Sequence, residues 1–261
     1  MNNIKAFLFD VDGTLIDYNG KMSKKMYEML HILKDKGYFL GINSGRPVFS
    51  SMRVLKANNA DELFDCYYGC NGIEYYANNK STYLSHLDHD IISYLNKIFI
   101  EDYLALACYR GDNLLFNHFP KDLNMVDKWC KLRYVKPLLY DFEKINISPK
   151  LIVVFLKEYK EQLENKISNI HDERFDMFFS GSDVMEIVPP GLNKGCAVDD
   201  LSKRLNIDPK SIMTCGDAEN DIPALIKGSG VYIGNKSFDV LYNCDSISND
   251  GLALFLEKHF K

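Results

Sequence analysis

Residues 6–17 read AFLFDVDGTLID, an apolar run that stops abruptly at Asp10, Asp12 and Gly13. A run apolar at every position predicts a strand buried on both faces, the kind found inside a parallel sheet. Residues two apart on an extended backbone project to the same side, so the spacing gathers Asp10 and Asp12 at the strand's carboxyl end. Open α/β sheets bind their ligands at that end. Two ionised carboxylates there repel each other unless a cation bridges them or one keeps a proton. Magnesium, a hard cation that takes oxygen ligands, would resolve the conflict. Two other readings compete: Asp-Gly commonly makes a plain turn, and acidic loops hold calcium. The calcium loop fails, because counting from Asp10 puts Leu15 where its glycine belongs and Lys21 where its glutamate belongs. The plain turn stays open on this stretch alone.

Outward from this strand the α/β rhythm continues. SKKMYEMLHILKDKG carries Met26, Met29, Leu30 and Leu33 at helical spacing and stops at Gly37. YFLGINSGRP reads as a second strand ending in a polar turn, with Pro47 opening another helix. DCYYGCNG reads as a third strand. Strand and helix in alternation predict a doubly wound parallel sheet. The middle of the chain changes character. IEYYANNKSTYLSHL and YLALACYRGDNLLFNHF read as hairpins, the second turning at Arg110–Asn113. KLIVVFLKEYKEQLENKISNI reads as strand then helix, and FDMFFSGSDVMEIV as two strands around Gly181. After PPGLNKG the first rhythm returns, with a helix over 194–205, the strand SIMTCGD, the helix DIPALIKG, the strand GVYIG and the closing helix GLALFLEKHF. The expected organisation is a Rossmann-like α/β core, residues 1–84 and 188–261, interrupted by an α+β cap at 85–187.

The bulk numbers fit this layout. At 261 residues, 46% hydrophobic and 26% charged, the chain has apolar material for a sizeable core. A net charge of −5 without any Lys/Arg block argues against nucleic acid as a partner. No apolar run is long enough to span a bilayer, and the start lacks the pattern of a signal peptide. The seven cysteines are odd in number and form no C-x-x-C pair, which predicts reduced core thiols and a cytoplasmic location. Nothing in the sequence sets an oligomeric state.

Further along the chain, three more short stretches carry chemistry. NSGRP puts Ser44 and the Gly45 amide at a strand end beside a helix start, a natural seat for phosphate oxygens, although a serine there also serves as a plain cap. GLNKG supplies Lys194 before a helix, where a lysine is more often solvated surface. CGDAEND ends another strand with Asp217, Asn220 and Asp221, which by themselves read as helix capping. Their joint occurrence in this order is not readily explained by chance.

The set DVDGT, NSGR, GLNKG and GDAEND resembles the four motifs of the haloacid dehalogenase superfamily. The insertion between the second and third motifs and the ending GVYIGN…NDGLALFLEKH are similar to its Cof-like phosphatase branch, subfamily IIB. The resemblance implies a phosphatase acting on small phosphorylated metabolites, sugar phosphates above all, with Mg²⁺ as cofactor. It implies Asp10 as nucleophile and Asp12 as general acid and base. It implies a metal held by the Asp10 carboxylate, the Asp12 main-chain carbonyl and Asp217, with Asn220 and Asp221 behind them. Ser44, Gly45 and Lys194 would hold the phosphoryl group. An acid at position 12 points to an oxygen leaving group, since a halide leaves without a proton. Arg46 either reaches the substrate or forms an ion pair. Lys236 follows Asn235 where that family often has alanine, which puts a substrate role for Asn235 in doubt. In the cap, Tyr109, Arg110, Asn117 and His118 are candidate substrate contacts, while His86 and His89 suit surface polar contacts better than metal. Two rival functions are a phosphomutase of the phosphomannomutase type and a catalytically silent phosphometabolite-binding module.

Overall fold

A computed structural model describes residues 3–132, 135–234, 242–244 and 249–261. Asn235 and Lys236 lie outside them. The chain divides into two units, Met1–Leu84 with Leu192–Lys261, and Ser85–Gly191.

The first unit opens with β1 (Ala6–Phe9), α1 (Lys24–Asp35), β2 (Phe39–Asn43), α2 (Val48–Ala57), β3 (Cys66–Gly69), β4 (Glu74–Ala77) and β5 (Lys80–Tyr83). The second unit holds β6 (Leu87–Asp88), α3 (His89–Ile98), β7 (Leu104–Arg110), β8 (Asn113–Phe116), α4 (Leu123–Leu132) and β9 (Lys136–Leu139). It continues with β10 (Ile147–Ser148), β11 (Leu151–Phe155), α5 (Lys160–Ile167), β12 (Asp176–Phe179) and β13 (Val184–Val188). The chain then returns to the first unit with α6 (Gly195–Leu205), β14 (Ile212–Gly216), α7 (Ile222–Lys227), β15 (Ser229–Ile233), β16 (Tyr242–Cys244) and α8 (Asn249–Phe260).

Among the described residues, the first unit is built on a sheet in the order β16-β15-β14-β1-β2-β3-β4-β5. Its pairs are parallel from β16 through β3. The β4–β5 hairpin extends the sheet antiparallel. The run Ala6–Phe9 is apolar throughout because helices cover both faces. Phe7 and Phe9 pack with Met26, Leu30 and Leu33 of α1, Val54 and Leu55 of α2, and Leu252 and Leu256 of α8. Ala6 and Leu8 pack on the other face with Ala197, Val198 and Leu201 of α6 and Ala224 of α7. Alternation along one strand thus feeds two cores.

Parallel pairing brings three carboxyl ends side by side. Phe9 pairs with both Cys215 of β14 and Ile42 of β2. Asp10, Ser44 and Asp217 therefore leave adjacent strands at one edge of the sheet, where the strand order reverses direction beside β1.

The second unit is a six-stranded sheet, β12-β13-β11-β7-β8-β9, antiparallel apart from β8–β9. Ile92 and Leu95 of α3 and Leu163 of α5 close one face over Leu106, Val153 and Met185. A buried polar pair, Lys150 just before β11 and Glu186 of β13, meets at 2.9 Å.

Candidate active site

Asp10 follows β1 directly, and its main-chain N–H donates to the Cys215 carbonyl at 2.9 Å, carrying the parallel ladder one residue past the strand. Asp10 is 6% exposed. Lys194, at the start of α6, is 2% exposed and reaches it with its ammonium. Nζ donates to Asp10 Oδ1 at 2.6 Å and to Asp221 Oδ1 at 2.6 Å. A buried lysine is costly unless it is paired and hydrogen-bonded, and this one has two carboxylates.

Asp221 is fully engaged. Its Oδ2 accepts from the main-chain N–H of Asp217 at 3.2 Å and of Ala218 at 3.0 Å, which folds the GDAEND loop back on itself. Gly216 makes this possible, since a Cβ there would lie 2.3 Å from the Asp221 Cγ. Asp217 in turn accepts from the Thr14 hydroxyl at 3.2 Å. The DGT loop approaches so closely that a Cβ on Gly13 would sit 2.2 Å from Asp217 Oδ2, and Gly13 itself has φ +78°. Gly13 thus sets the spacing between the first and last acidic stretches, and Gly216 the fold of the last one.

Among the described residues, Asp10, Asp217 and Asp221 form the cluster able to hold a metal ion, each offering an oxygen within 4.8 Å of the others. Burial pushes the Asp10 carboxyl up to about 8 against the pull of Lys194, and Asp221 and Asp12 add repulsion. Burial also leads the rise of Asp217 to about 6, again with Asp221 contributing. Burial works against the charge on Lys194, yet the two carboxylates hold the ammonium protonated and raise it. Three carboxylates therefore share one ammonium. With all three ionised, two negative charges would be left over; they match one divalent cation, and an all-oxygen donor set suits a hard one.

Asp12 lies apart from this cluster. Strand alternation ends with β1, and the Asp12 carboxylate is held in a fork by Arg46, Oδ2 to Nε at 2.6 Å and Oδ1 to Nη2 at 2.8 Å. Arg46 also donates to the Ser50 hydroxyl at 3.2 Å. Of the two roles considered for Arg46, the ion pair is the one seen.

The NSGR turn lies alongside. Ser44 Oγ accepts from the Arg46 N–H at 3.2 Å, and the Ser44 N–H donates to the Tyr68 carbonyl at 3.0 Å. Gly45 faces Asn71, whose Oδ1 would be 3.1 Å from a Cβ placed there. The same Oδ1 accepts from Asn220 Nδ2 at 3.3 Å, so Asn220 is tied to the NSGR side of the site.

Thr14, Asn43 and Asn71 were not singled out in the sequence. Thr14 sits inside DVDGT and Asn43 is the one polar residue ending the FLGIN run, so both left a signal. Asn71 left none, because its place follows from the turn it makes at φ 59°.

In the second unit, two of the expected substrate contacts are tied to neighbouring groups of their own fold. Asn117 Oδ1 accepts from the N–H groups of Leu106 and His118, and Nδ2 donates to Asn96 and the Phe99 carbonyl, so its amide is used up in holding the strand end. His118 Nε2 lies 3.2 Å from the Glu101 carbonyl. Arg110 is exposed and reaches the Tyr140 hydroxyl at 3.2 Å. His86 pairs with Asp88 at 3.1 Å, and His89 Nδ1 meets the Ile145 carbonyl at 3.0 Å.

The family model of haloacid dehalogenase-like hydrolases matches residues 7–255. The chain belongs to this family. Among similar sequences, a protein of Buchnera aphidicola named a putative phosphatase is 27% identical over 266 residues, covering 96% of this chain and 94% of that protein. An HMP-PP phosphatase of Cronobacter sakazakii is 26% identical over 231 residues, covering 87% and 83%. A haloacid dehalogenase-like hydrolase from Bacteroides thetaiotaomicron has the same fold, with a TM-score of 0.86 at 20% identity over 98% of this chain and 100% of that one. No helix among the described residues is long and apolar enough to cross a membrane.

Proposed function

We propose that this haloacid dehalogenase-like hydrolase is a magnesium-dependent phosphatase that hydrolyses phosphate monoesters of small metabolites, sugar phosphates foremost. The observation that carries the reading is the charge imbalance of the site. Asp10, Asp217 and Asp221 crowd around a single buried ammonium and call for a divalent cation beside the nucleophile. The named phosphatases among its relatives point the same way.

When bound, the cation supplies the positive charge that lets a carboxylate approach a phosphate dianion. Asp10 keeps one oxygen against Lys194 and attacks phosphorus with the other, forming an aspartyl-phosphate as the bond to the alcohol oxygen breaks. Asp12 gives that oxygen its proton. It then takes a proton from water, which attacks phosphorus and returns Asp10 as a carboxylate with release of inorganic phosphate. In the structure each Asp12 oxygen accepts one hydrogen bond from Arg46, which leaves each a second lone pair for the proton it moves. Ser44, Gly45 and Lys194 hold the phosphoryl oxygens, while Asn220 and Asp221 orient the groups around them.

The test is phosphate release from a panel of sugar phosphates, nucleotides and an aryl phosphate. It would be run with Mg²⁺, with chelator, and with Asp10→Asn. Release that needs both the cation and Asp10 is expected. Transfer of phosphate between sugar positions without release to water would replace the phosphatase with a mutase. A folded, Mg²⁺-loaded protein inert toward every compound would leave only a binding role.

A further inference from the structure

We infer that Asn43 is a positioning residue for the phosphate-binding lysine, its side-chain amide locking the main chain of Lys194 to the end of β2. The inference rests on the phosphatase reading above. Asn43 is the last residue of β2 and 3% exposed. Its Nδ2 donates to the Lys194 carbonyl oxygen at 2.9 Å, in a buried bond between segments 151 residues apart. A carbonyl can only accept, so this contact fixes which way the amide faces. It leaves Oδ1 buried, with no donor among the described residues.

That orphan acceptor is the telling feature. A buried polar atom without a partner lowers stability, and a leucine of similar shape at position 43 would avoid it and extend the apolar run from Phe39. The amide at this position is therefore poorly suited to stability and well suited to placing Lys194. Asn43 precedes Ser44, and Lys194 carries the ammonium that meets Asp10. One side chain thus ties together the two segments that hold the phosphoryl group. The Lys194 ammonium already meets two carboxylates at 2.6 Å, so any drift of its main chain has to be absorbed by bending that geometry. Misplacement on the scale of an ångström is enough to slow a reaction strongly.

The experiment measures kcat/KM for para-nitrophenyl phosphate, inhibition by inorganic phosphate, and melting temperature. It compares the parent, Asn43→Leu, Asn43→Ala and Lys194→Ala, and each Asn43 change combined with Lys194→Ala. We expect Asn43→Leu to melt close to the parent temperature, since it removes an orphan acceptor but takes a donor from the Lys194 carbonyl, while kcat/KM falls by roughly tenfold, the worth of one net hydrogen bond. Inorganic phosphate should inhibit it correspondingly less. In the Lys194→Ala background the same change should have no further effect, because residues acting through one another are not additive. Asn43→Ala reads the same cycle if leucine proves too large to fold. A tenfold loss that persists without Lys194 would overturn the inference. So would activity that falls only in step with the melting temperature, or an unaltered kcat/KM. An inert parent would instead defeat the phosphatase reading, and the inference with it.

Discussion

Replacing Lys194 with methionine tests the electrostatic core of the site directly. Methionine keeps most of the apolar stem and removes only the ammonium, which now serves Asp10 and Asp221 at 2.6 Å each. Breaking a buried ion pair by deleting one partner costs about 3–5 kcal/mol. Here the loss depends on pH, because the stranded carboxylates can escape it by taking up protons. A carboxyl whose pKa is raised in the folded state contributes stability that is complete below its unfolded pKa and is lost as pH rises through the folded one. Without Lys194, the downward pull on Asp10 disappears while burial and Asp221 still push it up. The variant should therefore lose stability steeply as pH climbs, at roughly 1.4 kcal/mol per pH unit for one such group. The parent's own Asp10 rises to about 8, so both proteins lose stability alike below that pH; we expect a deficit that changes little from pH 5 to 7 and widens above pH 8 by roughly 1.4 kcal/mol per pH unit, about 3–6 °C in melting temperature. The assay is thermal unfolding followed by circular dichroism in the presence of chelator, parent and variant in parallel from pH 5 to 9. A deficit of the same size at every pH, or a variant as stable as the parent at pH 9, would refute the idea that this ammonium neutralises the cluster.

Two further predictions bear on the acidic loops. Gly13→Ala forces a Cβ to within 2.2 Å of Asp217 Oδ2 at φ +78°. It should cost about 1–3 kcal/mol of stability in denaturant unfolding and weaken Mg²⁺ binding by calorimetry at least roughly tenfold. Asp217 rises to about 6 and Asp10 to about 8, so the metal-free fold should lose stability as pH climbs from roughly 4 through 8. Mg²⁺ should restore what is lost, so the gap in melting temperature between loaded and chelated protein should widen from pH 5 to pH 8; a constant gap would count against a cation among these carboxylates.

Most of the core was legible because its signals are local. The run Ala6–Phe9 announces a strand covered on both faces, and the two helix layers that cover it are there. Met26, Met29, Leu30 and Leu33 mark one face of α1, and all four are buried. The second unit is less legible. Its α3, α4 and β9 were not foreseen, since β9 is a short strand, exposed at three of its four positions, that depends on β8 for its register. The β4–β5 hairpin was visible as a hairpin, but its attachment to β3 is a tertiary choice that no local pattern encodes.

The site divides in the same way. Residues that carry charge at strand ends were found, because an ionic group beside an apolar run stands out. Their partnerships were harder to read, since each depends on segments far apart in sequence. Asp10 and Asp12 are two residues apart, yet one carboxylate joins a buried cluster and the other an arginine at a more exposed position. The repulsion between them is thus relieved in two separate ways: Lys194 arrives from 184 residues downstream and Arg46 from 34. Such a division gives the two aspartates different surroundings, the condition under which one can serve as a nucleophile and the other as a group that moves a proton. The alternation of the strand could pose that problem, but only the fold brings in the cations that solve it.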